Sequence, residues 1–188
     1  MTSSPFASFS AFCEAEGLDP NQLAAMFRAD VVARELLIAF EEGRIADAEF
    51  ELALAQRLGI ADADGLIDRL FENARPDAAM VAAVRNARAA GVRTGLISNS
   101  WGDRYPRELL AELFDGIVIS GEVGVRKPTP RIYELGVEAV GSQAGDCVFV
   151  DDLHFNLAPA RELGMVTVHH TEAQKTIAEL QALLGVEL

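Results

Sequence analysis

The chain has 188 residues, half of them hydrophobic, 24% charged and 7% aromatic, which gives enough apolar material for one domain, or one with a small companion, and argues against disorder. A formal net charge of -13 with no compensating basic stripe disfavours nucleic acid and anionic membranes as partners. Cys13 and Cys147 lie far apart in apolar settings, so a disulfide framework is not expected. With no signal-like start and no apolar stretch long enough to span a bilayer, the expected location is cytoplasmic.

From about residue 5 to 74 the apolar residues recur at helical spacing, as in Leu36, Leu37, Phe40 and then Phe50, Leu54, Leu58. This region reads as all helix. Asp19-Pro20 marks a helix start, and Gly43, Gly59 and Gly65 mark stops or turns. The stripe Phe6, Phe9 and Phe12/Cys13 reads as core, and the acidic residues scattered over the helices read as a solvated face.

After Pro76 helices and strands alternate. Helices are expected near residues 77–90, 105–114, 130–140 and 155–163, and at the end of the chain. Strands are expected at Val92–Ser98, Ile117–Ser120, Val148–Asp151 and Val166–His169. Short apolar strands between helices imply an α/β fold with a parallel sheet covered on both faces. In such sheets functional groups gather at the carboxyl ends of the strands. Ser98-Asn99-Ser100 ends one strand and Asp151-Asp152 ends another. Lys127 comes after a third through a loop whose glycines, Gly121 and Gly124, permit tight conformations.

The acidic pair carries the most chemistry. Two adjacent carboxylates repel and resist desolvation, so they need solvent, a base or a hard cation; Asp is also a good helix N-cap at such a junction. The segments Leu96-Ile97-Ser98-Asn99-Ser100-Trp101, Lys127-Pro128-Thr129-Pro130-Arg131-Ile132-Tyr133 and Val148-Phe149-Val150-Asp151-Asp152 with Asn156 resemble motifs two, three and four of the haloacid dehalogenase superfamily. The chain is similar to the N-terminal phosphatase domain of soluble epoxide hydrolases and to related stand-alone bacterial members.

That resemblance implies a Rossmann-like α/β core at residues 76–188 under a helical cap at 1–75, and a Mg2+-dependent phosphatase of a small phosphorylated metabolite. Lys127 and Ser98 would contact the phosphoryl group, with Asn99 orienting substrate. Asp152 would bind Mg2+ directly, with Asp151 and Asn156 supporting the ion or its waters. The family's first motif, an Asp-x-Asp on a central strand between those ending at Ser98 and Asp151, has no counterpart before Glu14. Without that strand the sheet would close up, be filled by another segment, or take its strand from further upstream. Met1-Thr2-Ser3-Ser4-Pro5 matches the family's residues between that motif and the cap, so the natural protein is expected to start further upstream. Two alternatives are a haloacid dehalogenase, which needs no metal, and a non-catalytic binding or regulatory module, with a homo-oligomer covering the open sheet. His154 is expected to be a surface or loop residue, His169-His170 lacks a third ligand nearby and is not expected to hold a metal, and Trp101 is expected to pack or to line the cap interface.

Overall fold

The computed structural model describes residues 5–102 and 104–188, with side chains from Ser8 onward. The Phe6 side chain and the segment 1–4 lie outside the described residues. Five helices come first: α1 (Pro5–Ala15), α2 (Gln22–Ala29), α3 (Val31–Glu41), α4 (Asp47–Leu58) and α5 (Leu66–Phe71). Their ends obey local chemistry. Asp30 caps α3 by accepting from the Val32 and Ala33 amides, and Gly59, at φ 75°, ends α4 in the left-handed conformation that glycine adopts without penalty. Asp19 accepts from the Asn21 amide, so α2 starts at Gln22 and not at Pro20.

The faces predicted to be apolar meet in one core. Phe9, Phe12, Cys13, Leu23, Phe40, Phe50, Leu54 and Leu58 are all buried there, and Phe40 stacks on Phe50 at 4.1 Å. The expected solvated acidic face has two exceptions. Glu51 is buried and accepts from the Ile67 amide, satisfying an orphan donor at the start of α5. Glu41 is buried at the end of α3, where it meets the second half of the chain.

That half runs α6 (Ala78–Ala89), β1 (Gly95–Ser98), α7 (Arg107–Leu113), β2 (Gly116–Ile119), α8 (Ser120–Val123), α9 (Pro130–Ala139), a 3-10 turn (Ala144–Asp146), β3 (Val148–Asp151), α10 (His154–Glu162), β4 (Val166–His169) and α11 (Ala173–Leu184). β1 begins three residues later than expected because the Val92 amide still closes α6 on the Ala87 carbonyl. The glycine loop after β2 starts as a helical turn, α8. Gly121 there lies so close to the α3–α4 turn that a Cβ on Gly43 would stand 2.5 Å from its carbonyl oxygen.

The strands are parallel, but they form two sheets and not one. β1 pairs with β2 in the register Ser98 to Ile119, and β3 pairs with β4 in the register Asp151 to His169. Among the described residues, nothing pairs with the other edge of β1 or of β3. The sheet has therefore not closed up, and no described segment fills the gap. Burial records the same break. β2 is largely buried, as a strand covered by helices should be, whereas Leu96, Ile97, Val148, Phe149 and Val150 are only half-buried.

Helix α9 holds the two halves together. It packs against β1 and β2 and touches α10, while α10 lies on β3 and β4. Tyr133 of α9 is fully buried, its ring is edge-on to Phe149 of β3 at 5.2 Å, and its hydroxyl donates to the Asn156 carbonyl at 2.8 Å. On the other side α6 packs against α11. The ends of β1 and β3 therefore converge although no backbone hydrogen bond joins them.

Candidate active site

Asp151, at the end of β3, uses both carboxylate oxygens. Oδ2 pairs with Lys127 Nζ at 2.7 Å, and Oδ1 accepts from the Leu153 amide and from Asn156 Nδ2, both at 2.9 Å. Asp151 therefore braces the turn ahead of α10, whose N-cap is Leu153 with no side-chain cap bond, and carries the charge pairing as well. Only 5% of the Asp151 side chain and 13% of the Lys127 side chain are exposed, so this pair sits where water screens little.

Lys127 is fixed from the main chain as well. Its amide donates to Asn99 Oδ1 at 2.8 Å, and Asn99 Nδ2 donates back to the Lys127 carbonyl at 3.1 Å. Asn99, expected to orient substrate, spends its amide on this loop and so ties the end of β1 to the lysine. The peptide bond from Lys127 to Pro128 is cis. Ser98 lies at the neighbouring strand end and accepts from the Tyr105 hydroxyl at 2.9 Å. Desolvation pushes the Tyr105 phenol above its ordinary value, keeping it a proton donor.

Asp152 behaves differently from its neighbour. It is exposed, and its carboxylate makes no hydrogen bond or ion pair among the described residues, while its carbonyl meets His169 Nε2 at 3.0 Å. Asn156 is 1% exposed; its Nδ2 serves Asp151, leaving a buried Oδ1 with no hydrogen-bond partner in the structure. A free carboxylate and an orphaned amide oxygen a few residues apart are donors suited to a hard cation that keeps most of its waters. Among the described residues no three His, Cys, Asp or Glu groups cluster as a closed metal cage. His154 is exposed at the start of α10, and its ring faces that of His169 at 5.5 Å. His170 Nδ1 is engaged with the Thr176 hydroxyl at 2.9 Å.

Above this site the helical half interlocks with the α/β half. Trp101, just past β1, packs among five phenylalanine rings, Phe9, Phe27, Phe40, Phe50 and Phe71, with centroid distances of 5.4 to 6.4 Å. Packing and lining the junction are the same role here. Glu41 is the residue that the sequence concealed. Its carboxylate pairs with Arg126, accepts from Trp101 and lies 3.4 Å from Asn99 Nδ2; its carbonyl accepts from the buried Ser120 hydroxyl, which in turn accepts from the Ser100 amide. Burial pushes the Glu41 carboxyl above its usual range, and the Arg126 guanidinium draws it part of the way back. The sequence offered a faint signal, a glutamate directly after the apolar run Leu36 to Phe40 on the same helix.

Comparison with known proteins places this geometry. A family model described as haloacid dehalogenase-like hydrolase matches residues 9–164. The chain is 31% identical to a sesquiterpene phosphatase of Aspergillus oryzae over 163 residues, 82% of each chain. It is 31% identical to rat bifunctional epoxide hydrolase 2 over 116 residues, 57% of this chain but 21% of that enzyme, so it spans about a fifth of that relative's length. Its fold resembles that of a HAD-family enzyme from Bacteroides thetaiotaomicron, an Asp-to-Ala mutant in complex with magnesium and inorganic phosphate, with a TM-score of 0.62 at 20% identity, covering 81% of this chain and 87% of that one. The chain belongs to the haloacid dehalogenase-like hydrolases.

Proposed function

We propose that this hydrolase is a Mg2+-dependent phosphatase of a small phosphorylated metabolite, its site lying where β1, β3 and the Lys127 loop meet. The observation that carries this reading is the buried Lys127–Asp151 pair, latched to the end of β1 through Asn99. A phosphoryl group in transfer needs fixed positive charge and hydrogen-bond donors around its oxygens. Lys127 supplies the charge. Ser98 supplies a hydroxyl that accepts from Tyr105 and donates at 3.4 Å to the Asn99 carbonyl, a long bond that a phosphoryl oxygen would replace.

Asp152 would hold Mg2+, with Asn156 Oδ1 and, through Asn156, Asp151 steadying the ion or its waters. Bound there, the ion would neutralise charge on the phosphoryl oxygens. The attacking carboxylate belongs on a further strand between β1 and β3, whose facing edges are unpaired among the described residues and whose apolar side chains are half-exposed. Residues 1–75 would cap the site and 76–188 would form its core. The fungal relative is named a phosphatase, and the Bacteroides structure holds magnesium and inorganic phosphate, which supports the same chemistry.

A second reading, a phosphate-binding module without turnover, has one observation in its favour. The carboxylate beside Lys127, Asp151, is fully engaged and ill placed to attack. A dehalogenase would leave the free Asp152 carboxylate without a use. One experiment separates these readings: a parallel strand bearing two Asp is joined ahead of residue 1, and p-nitrophenyl phosphate hydrolysis is monitored with and without Mg2+. Turnover that requires Mg2+ and collapses in Asp152→Asn and Lys127→Ala supports the phosphatase. Metal-dependent phosphate binding without turnover supports the module, and the absence of both rejects the site.

A further inference from the structure

A cavity of about 160 Å3 opens beside the Lys127 loop, lined by Phe27, Arg34, Leu37, Ile38 and Arg126. Two features set it apart in a chain of net charge -13: it carries two guanidinium groups and no carboxylate in its lining, and the rest of its wall is apolar. Arg126 precedes Lys127 directly, so the cavity adjoins the phosphoryl position. Arg126 is held by an ion pair from its buried Nε to the Glu41 carboxylate. Glu41 is itself clasped by Trp101 and by the Ser120 hydroxyl on its carbonyl. This explains why a carboxylate is buried at the junction. It fixes the guanidinium at the wall of the cavity that Arg126 lines. Arg34 approaches from α3, tethered through Nη1 to the Arg28 carbonyl at 2.5 Å.

We infer that this cavity is the leaving-group subsite, and that the substrate is a phosphomonoester whose alcohol has an apolar body ending in a second anionic group. The apolar body lies on Phe27, Leu37 and Ile38, and the anion is received by Arg34 and Arg126. Glu41 is a positioning residue, acting through Arg126. The inference rests on the phosphatase reading for the neighbouring phosphoryl position and adds the class of substrate.

Two phosphonates that cannot be hydrolysed test it: phenylphosphonate and 4-carboxyphenylphosphonate, titrated calorimetrically into the Mg2+-loaded chain. Charge-assisted hydrogen bonds of the usual strength make the carboxylated probe bind about tenfold tighter. Arg126→Gln alone would strand the Glu41 charge, so the variants are the exposed Arg34→Gln and the paired Glu41→Gln/Arg126→Gln. Each should shrink the gain to about threefold or less and leave phenylphosphonate affinity within about twofold. Equal binding of the two probes to the wild type, or a full gain surviving in either variant, overturns the subsite while leaving the phosphoryl site standing. Failure of both probes to bind overturns the phosphatase reading itself, and the subsite with it.

Discussion

Replacing Asp151 by Asn keeps the side chain's shape, removes its charge and leaves its partner stranded. Lys127 Nζ would remain in a site where 13% of its side chain is exposed, with no anion at 2.7 Å. At that separation the Coulomb attraction at an effective dielectric of about 20 is about 6 kcal/mol before desolvation is charged against it. Breaking one side of a buried pair typically costs about 3–5 kcal/mol. The residual exposure of Lys127 places Asp151→Asn near the lower end, about 3 kcal/mol, read from the urea midpoint at constant m-value. Lys127→Met alone should cost a similar amount, because Asp151 keeps only its two N–H donors. The double variant should recover most of the loss, giving a coupling of at least about 2 kcal/mol in the cycle. A cost below about 1 kcal/mol for Asp151→Asn, with no coupling, would refute the buried pair as the centre of the site.

Three further perturbations probe what surrounds it. Trp101→Ala removes an indole packed against five rings and should lower stability by about 3 kcal/mol, measured by urea denaturation; a loss under about 1 kcal/mol would mean that the two halves do not interlock there. A methyl on Gly136 of α9 would clash with Ile97 Cδ1 and Cγ1, so Gly136→Ala should destabilise by about 1 kcal/mol despite the helix preference of alanine, and Ile97→Val in the same chain, which removes Cδ1 and keeps Cγ1, should relieve it in part. A stabilised Gly136→Ala protein would place α9 further from β1. Because the Glu41 carboxyl is held up by burial, the folded state binds its proton more tightly than the unfolded state. Its contribution is therefore full below the unfolded value and is lost as pH rises through the raised folded one. The difference in urea midpoint between wild type and Glu41→Gln should drift in favour of the variant over that rise, and a pH-independent difference would contradict the burial.

The elements of the α/β half were legible because each strand is a short apolar run bounded by turn residues; β3 and β4 begin and end where the sequence placed them. The position of Ser98 and Asp151 at strand ends, and of Lys127 in the loop beyond β2, came with that. Their partners did not. Lys127 reaches Asp151 across 24 residues and Asn99 across 28, distances over which periodicity says nothing. Glu41 was illegible for a different reason. A glutamate beside a second glutamate at a helix end looks solvated, and only the approach of Arg126 and Trp101 from the other half of the chain makes burying it tolerable. The division of the strands into two sheets was not legible, because it depends on α9 and on the α6–α11 contact, which hold the halves in place with no strand between β1 and β3 among the described residues.

The central claim is that the meeting point of β1, β3 and the Lys127 loop receives a phosphoryl group with Mg2+. Backbone amide NMR during titration with inorganic phosphate and Mg2+ tests it most directly. The account predicts that the resonances of Ser98, Asn99, Lys127 and Asp152 shift together, that Lys127→Ala abolishes the response, and that Asp152→Asn removes its dependence on Mg2+. Shifts confined to other parts of the chain, or a response unchanged in Lys127→Ala, would contradict it.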